Sequence, residues 1–527
     1  MHTDWSVFKG LASKPIQAEW VKANVFLLGD IHNHCSLSYG HGSLDHAIAF
    51  ACQQLDFFSV TGHFAWPDMN DDAMNIPEEV KSYHREGFAK LRLGWGEYLA
   101  KIKASKTSGI IPFVSYEYHS FTYGDYTIVC KDLDTLLPPE PERVDTRLAD
   151  LVAKNDAQAS GVICMPHHIG YKEGYRGISW GHFNQKASPL VEIISMHGCS
   201  ENIDAPIKYL HTMGPRSRHN TMQGGLALGY RFGIMGSTDH HNASPGSYGS
   251  GRAGVWAESK ESNSIWDAFL QRKTMALSGD PIMMAWFIDD RPLGEVVELH
   301  DHAVLDGYIL ATERLSSVEV VSDGETIRSY TDFPPNGGNK KRFNFACGWG
   351  SRGMACDWNI SIRVEGAQVT DVVPRLRGEY IVDPLAECDE SSELLASVRH
   401  CENSVHLVCR TAGNVTPTTD GTQGFSFGLE IEEEYTVIVD VEAVYAGQSH
   451  TKTFRYASSE LKDGPTAEYI DGFVSPAFSL SDEIDSGECL LEIHENIPVK
   501  KDGYIYLRAF QKNGDVAYST PIWIELR

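Results

Sequence analysis

The chain has 527 residues, 42% of them hydrophobic, 10% aromatic, with a formal net charge of −26. That length predicts two or three domains, and the composition is that of a globular protein, not a disordered one. The acidic balance excludes nucleic acid as a bulk partner, because phosphate backbones need basic surface. No apolar run approaches the ~18 to 20 residues of a membrane helix. The N-terminus "MHTDWSVFKGLASKP" lacks a basic flank followed by an apolar core, so no signal peptide is expected. Eleven cysteines without paired spacing read as reduced thiols of a cytoplasmic protein.

In chain order, "NVFLLGD" (24–30) predicts a buried strand, and "SLDHAIAFACQQ" (43–54) a helix with Ser43 as N-cap. "LDFFSVTGH" (55–63) is the next strand and "GFAKLRLGWGEYLAKIKAS" (87–105) the next helix. Strands follow at 109–119, 126–130, 160–168, 190–198 and 232–241, with a helix around 145–158. Strands alternating with helices predict α/β architecture with a parallel sheet or barrel over 1–280. Beyond about residue 280, short strand-like segments split by Gly, Asp and Asn turns predict a β-rich, sandwich-like region over 281–527, with long loops at 330–352 and 410–424.

Sixteen of the twenty-two histidines lie in residues 1–241, and the predicted strands end in them. "GDIHNH" offers His32 and His34, which strand alternation turns to one side. "VTGH" adds His63, "SYEYH" Glu117 and His119, "MPHH" His167 and His168, "VEIISMHG" Glu192 and His197, and "GSTDHH" Asp239, His240 and His241. In a parallel barrel the C-terminal strand ends face one rim, so these residues would converge. Imidazoles and carboxylates together suit Zn, Mn or Fe, and a carboxylate such as Glu117 can bridge two cations. There is no CxxC spacing, Walker loop or GxSxG elbow, so hydrolysis by metal-activated water is the predicted chemistry. Asp30 is placed to orient an imidazole. Arg176, Arg216, Arg218 and Arg252 fall in predicted rim loops where one could grip an anion, against a plain surface role. Trp95 and Trp180 could wall a pocket or simply pack, and His300 and His302 of "ELHDHAV" read as an exposed turn.

The ordered set "GDIHNH", "TGH", "SYEYH", "MPHH" and "GSTDHH" resembles the PHP (polymerase and histidinol phosphatase) superfamily. Within it the chain is most similar to a branch known as a domain of unknown function, which also shows "VEIISMHGCSE", "GSTDHHNASPG", "IWDAFLQRKTMALSGD" and "YLRAFQKNGDVAYSTPIWI". The resemblance covers nearly the whole chain. It implies a distorted (β/α)7 barrel with up to three metals at its C-terminal rim. It also implies hydrolase activity, mostly on phosphoesters, although some relatives of this branch hydrolyse aryl carbamates. Carried over by position, His32, His34, Glu117 and Asp239 hold one metal, and His63 and His241 a second. Glu117 bridges to a third held by His167 or His168, with His167 preferred. His41, one residue off the spacing of a family ligand, stands with His168 and Arg252 as a substrate-side candidate. Asp239 and His197 are the proton-handling candidates.

Two departures stand out. The family's T-D-H reads "TGH", with Gly62 in place of a carboxylate, and a histidine expected after the glutamate motif is missing, where "GDYTIVC" offers Tyr126. The expected function is therefore a metal-dependent hydrolase with one to three divalent cations. A phosphoesterase on a small metabolite is the first reading, and hydrolysis of a carboxyl-type bond (ester, carbamate, amide or lactone) the second. A non-catalytic ligand-binding protein is the third. The expected partner is a small molecule, with neither nucleic acid nor membrane, and the β-rich region either shields the barrel or forms a homo-oligomer contact.

Overall fold

The computed structural model describes residues 5–138, 146–207, 214–350, 353–379, 396–413 and 420–527. The helix expected around 145–158 begins there at Thr146, and residues 351–352 and 414–419 of the expected loops lie outside the described residues. The N-terminal strands are β1 (Val25–Asp30), β2 (Phe57–Phe58), β3 (Thr61–Ala65), β4 (Ile111–Pro112), β5 (Val114–Tyr118), β6 (Tyr126–Cys130) and β7 (Val162–Pro166). They continue with β8 (Leu190–Ser195), β9 (Gly198–Cys199), β10 (Gly233–Gly236), β11 (Arg252–Ala257) and β12 (Thr274–Leu277).

Two helices show how the local sequence sets these elements. Helix α1 (Leu44–Gln54) starts where the Ser43 hydroxyl accepts a hydrogen bond from the His46 amide at 3.0 Å, as its N-cap position predicts. Helix α2 (Glu78–Ser105) buries Phe88, Leu91, Trp95, Tyr98 and Ile102, whose three- and four-residue spacing puts them on one face. That face covers β3.

The expectation of parallel pairing holds for β1–β2–β4, β3–β5 and β8–β10. It fails at β5–β6, β6–β7 and β1–β11, which are antiparallel. Only residues 119–125 join β5 to β6, and a parallel crossover needs about a dozen or more. Among the described residues the strands do not close into one hydrogen-bonded ring. They form a β3–β5–β6–β7 sheet, a β10–β8–β9 sheet, and the β12–β11–β1–β2–β4 part of a larger sheet. The fold is thus a strand-rich mixture of helices and sheets.

That larger sheet crosses residue 280. β12 pairs with residues 516–519, Met275 opposite Ser519, and the sheet runs on through 503–511 and 522–526. The remaining C-terminal strands are long and antiparallel, led by Cys356–Arg375 and Gln423–Tyr445. Lys340–Gly348, expected in a loop, is a strand paired to residues 423–430. Its alternating Phe343, Phe345 and Cys347 are fully buried, so tertiary packing overrides the Asn- and Gly-rich context. No helix among the described residues is long and apolar enough to cross a membrane.

Candidate metal centre

The "DIHNH" segment leaves β1 and is gripped on two sides. The Asp239 amide donates to the His32 carbonyl at 2.7 Å, the His34 amide to the His240 carbonyl at 2.8 Å, and the Thr61 amide to the Asn33 carbonyl at 2.7 Å. His32 and His34 face the same way, as alternation predicts, with their Nε2 atoms 3.2 Å apart and both residues fully buried. Asn33 points away and donates to the Ser59 carbonyl. On the neighbouring sheet, His63 of β3 lies opposite Glu117 of β5 in parallel register.

Five of the cluster histidines, His32, His34, His63, His167 and His241, are oriented by a bond on Nδ1. The Thr61 carbonyl can only accept, so His34 donates Nδ1–H to it at 2.7 Å. His241 does the same to the Asp239 carbonyl at 2.8 Å. His32 Nδ1 lies 2.8 Å from Glu192 Oε2, His63 Nδ1 2.8 Å from Ser38 Oγ, and His167 Nδ1 3.0 Å from Thr127 Oγ1. The Nε2 atoms converge on two carboxylates. Glu117 Oε2 is 3.3 Å from His34, 3.6 Å from His32 and 3.6 Å from His63, and Oε1 is 3.2 Å from His167. Asp239 Oδ1 is 3.1 Å from His34 and 3.4 Å from His32, and Oδ2 is 3.1 Å from His197 Nε2. Asp239 and His168 both hold left-handed backbone, at φ 51° and 31°, an uncommon conformation that collects at functional sites.

Electrostatics sharpen this. Burial pushes Glu117 up, but His119, His167 and His63 outweigh it and hold its carboxyl well below the usual range. Burial pushes His167 and His241 down to about 3, so both rings are neutral at pH 7. With Nδ1–H fixed on the Thr61 carbonyl, His34 Nε2 faces carboxylate oxygens, and Glu117 Oε2 is buried without a hydrogen-bond partner. Imidazole nitrogens and carboxylate oxygens converging in a buried site form a set that a cation could satisfy. The donor set of imidazole nitrogens and carboxylate oxygens fits Zn, Mn or Fe.

Five ligand groups can be drawn: His34, His63 and His241; His32, His34 and Asp239; His63, Glu117 and His119; Glu117, Asp125, His167 and His168; and His168, His197 and Asp239. All seven residues carried over as metal ligands fall within them. Both members of the His167/His168 pair reach the same group, His167 through Glu117 and His168 through Asp125 at 3.3 Å. The residue missed by sequence reading is Asp125, which sits directly before Tyr126 where a histidine was sought. Its signal was its place at the start of β6, on the edge next to "MPHH". His119 has Nδ1 at 3.0 Å from Glu117 and 2.9 Å from Asp125, and Nε2 on the Tyr39 hydroxyl. Both its nitrogens are therefore engaged within the protein.

Other expectations land elsewhere. Asp30 does not touch an imidazole: it accepts from the His32, Thr238 and Gly246 amides and the Thr238 hydroxyl, and so fastens the two ligand loops together. Glu192 orients His32 instead. Arg252 is 1% exposed and bonds the Gly246 carbonyl and Gln54, so its guanidinium is committed to bracing the 239–251 loop. His41 joins none of the five ligand groups, although its amide bonds the His241 carbonyl. His240 turns away from the cluster and accepts from the Asn242 amide. Arg216 binds the Asn202 carbonyl and Arg218 is exposed. Trp95 donates to the Thr135 carbonyl, and Trp180 stacks on Tyr230 and Phe232, so both serve packing.

Gly62 also reads differently in three dimensions. It pairs with Tyr116 on the face opposite His63 and Glu117, and a Cβ there would lie 2.2 Å from Leu91 Cδ1 of α2. A carboxylate at this position would enter the α2 interface, not the ligand cluster. Gly62→Ala is expected to overpack that interface and cost about 1–3 kcal/mol, read as a lower Tm with metal content unchanged.

Burial of neutral histidines carries a pH signature. Six histidines are pushed down by burial: His84, His167 and His241 to about 3, His240 to about 4, and His63 and His168 also below the ordinary value. Unfolded, they bind protons below about 6.5 while the fold does not, so stability falls as pH drops through that window. His32 and His119, raised above the ordinary value, and Glu192, raised to about 7, act oppositely: their stabilisation is present at low pH and lost as pH rises. Asp30, Glu201, Glu313 and Asp515, raised by burial, act with these three. Glu117, Asp125 and Asp239, held low by neighbouring cations and hydrogen bonds, act with the six, so the groups that favour the fold at higher pH are the more numerous. Chelator-treated protein is expected to lose thermal stability from pH 7 to pH 4.5, which differential scanning fluorimetry would measure.

No family model matches the chain. Two proteins described as uncharacterized are similar to it: one from Chlamydia muridarum, 24% identical over 180 residues, and one from Chlamydia trachomatis, 23% identical over 184. Each match covers 31% of this chain and 28% of the relative, so the chain spans just over a quarter of the length of these relatives. Among solved structures, a two-domain protein from Bacteroides vulgatus containing a predicted PHP-like metal-dependent phosphoesterase is similar at 13% identity and a TM-score of 0.32, covering 82% of this chain and 96% of that one. The capacity to bind metal rests on the donor set itself.

Proposed function

We propose that the protein is a metal-dependent hydrolase acting on a phosphoester of a small molecule. The observation that carries the metal reading is His34 Nε2, turned by the Nδ1 bond to the Thr61 carbonyl toward the Asp239 and Glu117 oxygens inside a buried cluster. His32, His34 and Asp239 would hold one cation and His63 and His241 another, with Glu117 facing both groups. When bound, such cations supply Lewis acidity and an acidified water. The chain contributes the rest. Glu192 and the Thr61 carbonyl fix two imidazoles, so little reorganisation is needed during reaction. His197, whose Nε2 is 3.1 Å from Asp239 and whose Nδ1 is 2.9 Å from the Tyr171 hydroxyl, would carry the proton for the leaving oxygen. Its side chain is 14% exposed.

A second reading, hydrolysis of a carboxyl-type bond, draws support from aromatic residues beside the cluster. Tyr39 stacks on His63, and Trp66 and Phe88 pack near His119. One experiment separates the readings. Metal per chain is measured by inductively coupled plasma mass spectrometry on protein purified without a metal-binding tag. The loaded protein is then offered an aryl phosphate and an aryl ester with the same leaving group. Two or more equivalents and faster phosphate cleavage support the proposal. Faster ester cleavage supports the second reading, and metal without turnover of any substrate supports a ligand-binding role.

A further inference from the structure

We propose that Arg176 is a fixed cation of the site. Its guanidinium takes the place beside Asp125 that a third metal would need, and it presents an outer nitrogen to the anionic group of the substrate. The second half of this inference rests on the phosphoester reading above.

Arg176 lies in the segment after β7, ten residues beyond Pro166. Its Nε donates to Asp125 Oδ2 at 2.7 Å, and its Nη2 reaches the same oxygen and His119 Nδ1. The guanidinium lies 5.0 Å over the Trp66 ring. The backbone holds it there in a left-handed conformation, φ 68°. The next residue, Gly177, approaches so closely that a Cβ would lie 1.7 Å from the Tyr171 carbonyl oxygen. A long side chain so confined is preorganised.

Asp125 belongs to the ligand group that would complete a third metal position, with Glu117, His167 and His168. Yet its oxygens are already engaged. Oδ1 accepts from the Ser120 amide at 2.9 Å, and Oδ2 takes both guanidinium nitrogens. Arginine does not lose its proton in a protein, so this positive charge is permanent. A divalent ion on Oδ2 would meet it at contact distance within a buried site, where like charges repel strongly. The chain thus brings two metal positions plus one guanidinium. Three positive centres match the charge that builds on a phosphoryl group in flight. The contacts of Arg176 with Asp125 and His119 run through Nε and Nη2, and its side chain is 15% exposed, which leaves Nη1 as the nitrogen to reach a ligand.

The test uses full-length protein loaded with Mn²⁺, with metal counted by mass spectrometry and inorganic phosphate binding followed by calorimetry. Wild type is expected to hold two equivalents and to bind phosphate. Arg176→Gln should keep both equivalents and weaken phosphate binding about 30-fold or more. Arg176→Lys, which keeps the charge but not the fork, should fall between them and guards against a folding defect in the neutral variant. Three equivalents in wild type, or unchanged phosphate affinity in Arg176→Gln, would overturn the inference. A wild type that holds two metals and binds no phosphate would instead fail the phosphoester reading. It would remove the anion-gripping role and leave the fixed-cation role supported by the metal count.

Discussion

Glu117→Ala is expected to abolish turnover, a loss of about 10³-fold or more, and to lower metal content measured by mass spectrometry. The physical reason is that Glu117 faces both sides of the cluster. Its Oε2 looks at His32, His34 and His63, while Oε1 looks at His167 and His119. It is 2% exposed, so no water can replace it at low cost. Removing it leaves imidazole lone pairs converging on a cavity with one anion fewer to balance the cations. Glu117→Gln keeps the volume and one acceptor oxygen, and should lose metal nearly as completely, because the missing feature is charge. Full activity with full metal content in either variant would refute the assignment of the site.

The second large effect is expected at Glu192, which touches no other ligand nitrogen than His32 Nδ1, at 2.8 Å. This bond sets the ring's rotation and keeps Nε2 aimed at Asp239 and Glu117. Burial pushes Glu192 up to about 7, with His32 acting to lower it. Glu192→Ala frees the ring and is expected to weaken metal affinity about 10- to 100-fold, the usual cost of removing an outer partner of a metal-binding histidine. Glu192→Gln retains an oxygen that can accept from Nδ1–H and should recover most of that loss. A competition titration against a chelator would measure both. Equal damage from the two variants would mean that charge, and not orientation, is what Glu192 supplies.

Much of the candidate site was legible in the linear sequence. The reason is that imidazoles and carboxylates are recognisable metal-ligand types and fell at or near the ends of predicted strands. The His32–Asn33–His34 alternation follows from strand geometry alone, and the strand-end residues His63, Glu117, His167 and Asp239 could be picked out before any contact was known. The helix start at Ser43 was equally local, since a cap depends on residues within one turn. What failed were statements about direction across space. Asp30 was adjacent to the motif and looked like an imidazole partner, but its oxygens are taken by backbone amides from 238 and 246. Arg252 looked like a rim cation and is a buried brace, whereas Arg176 looked like one of several surface arginines and lies against Asp125.

The sequence by itself determined the ligand chemistry, the strand-then-helix texture of the first half and the strand-rich texture of the second. These depend on residue type and on periods of two and 3.6 residues, which a chain carries without its fold. Only the tertiary structure decided which partners face which. The short 119–125 connection turned β6 antiparallel and brought Asp125 beside His168, some forty residues later in the chain. It placed Gly62 against Leu91, away from the ligands, and sent the last strands of the chain back to pair with β12. Such pairings are fixed by connection length and by burial summed over the whole molecule, and no single stretch of sequence contains them.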